Sequence, residues 1–117
     1  MKVICTTIPR SPTGEIRDSS PWVTIGAEYV VVSVTAEPGR RVLLRLVTDD
    51  DSLGLYESVN FVTADDTVPE TWTVQVSEGG MMDFAPASWL TPGFWEAYYD
   101  ADPAAVDAVN SELQALL

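Results

Sequence analysis

The sequence predicts a mainly β, α+β fold: five or six short antiparallel strands in a small barrel or bent sheet, capped by a short aromatic helix and a C-terminal α-helix. Three observations carry this. Segments rich in β-branched residues alternate with Pro-Gly, Gly-Gly and Asp-rich turns as far as residue 86. A Thr-Pro and an Asp-Pro pair then follow, each the pattern of a helix start. Behind the second pair, apolar residues recur every three or four positions. The 117 residues, 46% hydrophobic and 21% charged, suit a single folded domain, with residues 1–86 forming the β-barrel and 91–117 the helical cap.

The first strand is expected at KVICTTI (2–8), and residues 9–21, rich in proline, serine and charge, read as an exposed loop. YVVVSVTA (29–36) and RVLLRLVT (41–48) flank a Glu-Pro-Gly-Arg turn and so form a hairpin. After the acidic turn DDDSLG (49–54), LYESVNFVT (55–63) reads as one strand, or as two with a bend. TWTVQVS (71–77) alternates cleanly, with Trp72, Val74 and Val76 on one face and Thr71, Thr73, Gln75 and Ser77 on the other. A Glu-Gly-Gly turn leads to a closing strand at 81–84. Thr91-Pro92 marks a short helix through residue 99. Asp102-Pro103 marks a longer one, on which Val106, Val109, Leu113 and Leu116 form the apolar stripe.

Histidine is absent, which removes the commonest general base and metal ligand and every histidine-activated nucleophile. The lone Cys5, in a predicted strand, reads as a buried structural thiol and implies no disulfide. Gly79-Gly80 lacks the lysine of a phosphate-binding loop. DDDSLG sets Asp49, Asp51 and Gly54 at the first, third and sixth positions of a calcium loop, but Leu53 and Asn60 stand at the fifth and twelfth, where oxygen ligands are required. A hairpin turn is the better reading. Paired carboxylates for glycoside hydrolysis would need a concave sugar site, for which a one-core domain has little room. No catalytic residue, metal ligand or cofactor is expected. No apolar run approaches the roughly 18 residues that span a bilayer, and no signal-peptide pattern opens the chain, so cytoplasmic residence is expected.

Charge is the more informative quantity. Six bases against eighteen acids leave −12, and the signs are segregated. Lys2, Arg10, Arg17, Arg40, Arg41 and Arg45 all lie in the first 45 residues with only four acids, a net of +2. The remaining 72 residues hold fourteen acids and no base. Such a field repels nucleic acid and anionic lipid and attracts a basic protein.

Residues 86–102, PASWLTPGFWEAYYDAD, concentrate Trp89, Phe94, Trp95, Tyr98 and Tyr99 among acids. In helix geometry Phe94 and Tyr98 share one line and Trp95 and Tyr99 a neighbouring one, an arc of roughly 140° that leaves Glu96 outside. Most of these rings are expected to cap the sheet. Trp95 and Tyr99 at the arc's edge, with Glu96, Asp100 and Asp102, are the expected partner contacts, joined by Asp49, Asp50, Asp51, Asp65 and Asp66 at the strand turns.

Two segments carry a family resemblance. TIGAEYVVVSVT and LLRLVTDDDSLGLYESVNFVT are similar to the strand and acidic-turn pattern of small bacterial SH3-like barrel proteins. PASWLTPGFWEAYYDADPAAVDAV resembles the GFWE-containing tail of bacterial proteins, some of them immunity proteins of polymorphic-toxin systems. Together they run from Thr24 to the C-terminus; the segment 9–21 and the acidic second half depart from the pattern. The resemblance and the charge together imply an immunity or inhibitor protein that neutralises a basic toxin, for example a nuclease. The alternatives are an adaptor or DNA-mimic regulator of a basic protein and, less in keeping with the residues, a carboxylate-based hydrolase or metal-binding protein.

Overall fold

A computed structural model describes residues 1–8 and 19–116, so most of the loop expected at 9–21 lies outside the described residues. Among the described residues seven strands precede the helices: β1 (Lys2–Cys5), β2 (Glu28–Ala36), β3 (Val42–Val47), β4 (Leu53–Glu57), β5 (Phe61–Asp65), β6 (Trp72–Val76) and β7 (Met82–Pro86). Single-turn 3-10 helices occupy Ser58–Asn60 and Ala87–Leu90, followed by α1 (Phe94–Tyr99) and α2 (Pro103–Leu116). Every strand pairing is antiparallel, in the order β4-β3-β2-β1-β5, with the β6-β7 hairpin joined through β7 to β2.

The long β2 holds the sheet together, because residues 28–30 pair with β1 while residues 34–36 pair with both β3 and β7. Between Val31 and Ser33 it advances two residues while β3 advances one. A bulge of this kind bends the strand. One face of the bent sheet encloses Val3, Cys5, Val23, Tyr29, Val31, Leu44, Leu46 and Phe61. The other packs Val32, Leu53 and Ala85 against Trp89 and, from α2, Val109. Cys5 is buried with a free thiol, as its place in an alternating strand implied.

The sheet bends without closing into a barrel: among the described residues β4 and β5, which a barrel would bring together, do not pair. The Asn60 carbonyl accepts the N–H groups of Thr6 (2.8 Å) and Thr7 (3.3 Å), and its side-chain oxygen accepts the Thr7 hydroxyl (2.7 Å). These bonds stop β1 at Cys5, short of the expected residue 8, and tie the turn after β4 to β1. The 55–63 segment forms two strands, the second of its two expected readings, and the described residues hold seven strands against the five or six expected.

Thr91-Pro92 proves to be a turn and not a helix cap. The Phe94 N–H donates to the Thr91 carbonyl (3.2 Å), and Gly93 takes φ +76°, the left-handed geometry of the third residue of a type II turn. The signature at Asp102-Pro103 holds: Asp102 Oδ2 accepts the Ala105 N–H (3.2 Å) at the head of α2. Asp102 also closes α1, donating its N–H to the Ala97 carbonyl (2.9 Å), while Ala101 at φ +62° donates to that of Tyr98 (3.0 Å). This is a Schellman motif with alanine where glycine is usual. Among the described residues no helix is long and apolar enough to cross a membrane.

Candidate functional site

The five rings of the aromatic stretch form one connected cluster. Trp89 is 1% exposed at its base, stacked on Phe94 (centroids 6.2 Å apart) and edge-on to Trp95 (5.5 Å). Trp95 in turn meets Tyr98 (5.6 Å) and Tyr99 (6.1 Å). Edge-to-face pairs at these separations add to the area they bury, so the cluster is rigid as well as large. Exposure rises along it: Phe94, Trp95 and Tyr98 are half-buried, and Tyr99 is 57% exposed.

Beneath the cluster lies a cation. Arg45, in the middle of β3, is only 7% exposed, with its guanidinium carbon 3.6 Å from the centroid of Trp95 and 5.8 Å from that of Tyr99. Its Nη1 donates to the Tyr99 hydroxyl (2.7 Å), and that hydroxyl donates to the Leu53 carbonyl (3.3 Å). No carboxylate among the described residues pairs with it, and its Nε is buried without a partner. Burial lowers the pKa of the guanidinium from its ordinary value, opposed chiefly by Tyr99. Burial likewise raises the Tyr98 phenol, Tyr99 adding to the effect and Arg45 opposing it. Ring faces and a phenolic oxygen therefore replace the usual anion, and the outermost ring is held by its hydroxyl.

On the outer side α1 forms an open groove of about 540 Å³, lined by Phe94, Trp95 and Tyr99 together with Glu96 and Asp100. Four of the five expected contacts on this stretch, Trp95, Glu96, Tyr99 and Asp100, thus surround one concavity. Asp102 does not line it and is engaged as the cap of α2.

The remaining expected residues are dispersed. Asp49 Oδ1 accepts the Tyr29 hydroxyl (2.8 Å) and Oδ2 the Thr24 hydroxyl (2.9 Å), pinning the segment before β2 to the β3-β4 turn. Asp50 Oδ1 accepts the hydroxyls of Thr48 (2.5 Å) and Ser52 (2.6 Å), bonds that hold its carboxyl below the usual range, Ser52 contributing most. Both carboxylates serve the turn. Asp51, at φ +60°, donates its N–H to the Thr48 carbonyl (3.0 Å), and its carboxylate has no hydrogen-bond partner among the described residues. The Tyr99 bond to Leu53 brings the end of α1 to the strand that follows this turn. Asp65 and Asp66 lie elsewhere, at the end of β5 on the opposite edge of the five-strand path, where Asp65 pairs in register with Lys2. Thr67 N–H donates to Asp65 (2.9 Å) and holds its carboxyl low. Among the described residues no three of the aspartates, glutamates and Cys5 converge as metal ligands would.

Three of the four ion pairs among the described residues lie within the first 45 residues. Lys2 pairs with Glu28, and Arg40 and Arg41 with Glu37. Of the fourteen acids after residue 45, Glu57 is the one in an ion pair among the described residues, with Arg41. Twelve of the fourteen are exposed, Asp83 and Glu112 being the exceptions. Arg45 was missed as part of the site by sequence reasoning, although a signal was there: it is the one charged position inside the apolar run VLLRLV. Comparison with protein-family models, with curated proteins and with solved structures returns no match for this chain.

Proposed function

We propose that this chain is a small acidic binding protein, an immunity or inhibitor protein that neutralises a basic toxin by covering its cationic surface. One observation carries the reading: a ring-lined groove bordered by Glu96 and Asp100, on a chain whose acids after residue 45 are almost all exposed and unpaired. The nearest base, Arg45, is buried beneath the rings and makes no direct contact with a partner. A nuclease must present lysine and arginine to hold phosphate, so an acidic surface steers onto it, and the fixed rings then supply the desolvated anchor. No bond is made or broken in this role. A toxin is preferred to another basic partner because of the resemblance of residues 86–109 to immunity-protein tails.

The test is capture with the intact chain as bait, followed by stopped-flow association with the recovered protein. The expected partner is basic and toxic when expressed alone, and its association rate falls about tenfold or more between 50 and 500 mM salt. Recovery of no basic partner, or a rate indifferent to salt, refutes the proposal. Tyr99→Ala should weaken the complex by about 2 kcal/mol, roughly 30-fold in Kd, whereas Asp100→Asn should act mainly on the association rate.

A further inference from the structure

β6 is an edge strand: among the described residues it pairs with β7 and with no other strand. Edge strands are ordinarily guarded by charge, proline, glycine or a bulge, since their open backbone groups invite another chain. The edge strands β4 and β5 follow that rule, β4 with Gly54 and Glu57 and β5 with Asp65. β6, Trp-Thr-Val-Gln-Val, carries none of these devices, and its register with β7 runs without a slip.

The ladder shows which backbone groups are open. The Ser77 N–H donates to the Met81 carbonyl (2.8 Å), and bonded pairs alternate along an antiparallel ladder. Thr73 and Gln75 therefore spend their backbone groups on β7, and Val74 and Val76 turn theirs outward. The side chains of Val74 and Val76 are 55% and 63% exposed. Register places Val74 in a row with Phe84 and Val34, which line an apolar recess of about 210 Å³ with Met1, Val68 and Trp72. The opposite face bears Thr73, Gln75 and Asp83, and Glu112 accepts the Thr71 hydroxyl at the strand's start (3.0 Å). Glu70 and Glu78 bracket the strand.

We propose that β6 is a docking edge for one extended strand of a basic protein. The apolar residues of that strand would lie with Val74 and Val76, and its lysines or arginines on the side of Gln75 and Asp83. The proposal rests on the reading of the chain as a binder of a basic partner and supplies a second surface for it, distinct from the α1 groove. Charge selects this occupant over a second copy of the chain: antiparallel self-pairing centred on Val74 would set Glu70 against Glu78 of the other copy, between two chains of net charge −12.

The experiment is amide exchange of the full chain, resolved residue by residue by NMR, with a capped nine-residue peptide of alternating lysine and valine as probe. The Val74 and Val76 amides should slow at least tenfold on binding, and a glutamate-valine peptide should leave them unchanged. Val74→Pro, which removes an outward N–H and leaves the bonds to β7, should abolish the effect, while Val74→Thr should retain it. Should Val74→Pro fail to fold, Val76→Lys decides, because it keeps the strand and repels the probe; at least tenfold weaker binding is expected. Protection confined to α1 and residues 49–51, or no binding, overturns the β6 edge and leaves the proposed function to the capture experiment. A concentration-dependent dimer that Val76→Lys dissolves also overturns it, in favour of self-pairing. Protection at β6 with no basic partner captured supports the edge and counts against the toxin reading alone.

Discussion

Tyr99→Phe should destabilise the chain by about 1–2 kcal/mol although the ring is more than half exposed, where a surface change ordinarily stays within about 0.5 kcal/mol. The hydroxyl accepts the one side-chain hydrogen bond that the buried Arg45 makes among the described residues, and it donates to the Leu53 carbonyl. A hydrogen bond to a charged group is worth about 1.5–3 kcal/mol, and the open side of the ring, where water can approach, lowers that figure. For a chain of this size the melting midpoint should fall by about 4–8 °C. Urea unfolding of a double-mutant cycle with Arg45→Met is the assay. Methionine fills much of the same volume and removes the buried charge, its unpartnered Nε and the ring contact together, so Arg45→Met alone should stay within about 1 kcal/mol of the parent. In that background Tyr99→Phe should cost less than about 0.5 kcal/mol. Equal losses in both backgrounds, or no loss in either, would refute the claim that the hydroxyl acts through the cation.

Trp89→Ala, which empties the centre of the helix-covered core, should cost about 3–5 kcal/mol in the same assay. Ala101→Gly should stabilise by about 0.5–1 kcal/mol by relieving the left-handed alanine of the Schellman motif, and Gly93→Ala should cost about 1 kcal/mol at φ +76°. Asp50 has its pKa depressed below 3.8, so its contribution is complete above that value and lost as pH falls through the depressed one. The stability gap between the parent and Asp50→Asn should accordingly close in urea titrations below pH 3.8. Tyr29 is shifted the other way, raised from 10.0 by burial and then by its bond to Asp49. Its contribution is complete below pH 10 and lost as pH climbs through the raised value, which phenolate absorbance alongside urea midpoints will follow.

Much of the chain was legible because its signals are local. The Pro-Gly and Gly-Gly turns, the period-two strands and the Asp102 cap each need only neighbouring residues, and each falls within a residue or two of where the pattern places it. Thr91-Pro92 misled because threonine-proline suits a turn as well as a cap, and the Gly93 that follows turns the chain before the helix begins. The candidate site was legible only as a ring cluster with acids beside it. Periodicity placed Trp95 and Tyr99 at the arc's edge, but nothing near them in sequence names Arg45, 50 residues upstream of Trp95.

The sequence by itself determined the class of fold, the order of its elements and a charge field with every base ahead of residue 46, because propensity, turn chemistry and net charge are properties of short segments or of sums. Tertiary structure decided the rest, because the remaining questions concern which distant groups meet. Asn60 anchored on Thr6 and Thr7 ties the turn after β4 to the end of β1. The carboxylates of Asp49 and Asp50 are taken up by hydrogen bonds, while those of Asp51 and Asp100 have no hydrogen-bond partner among the described residues. The alternation at Trp72, Val74 and Val76 marked an apolar face in sequence, but only the fold decides what covers it. Among the described residues nothing covers Val74 and Val76, since β6 lies outermost and the helices pack on the other face.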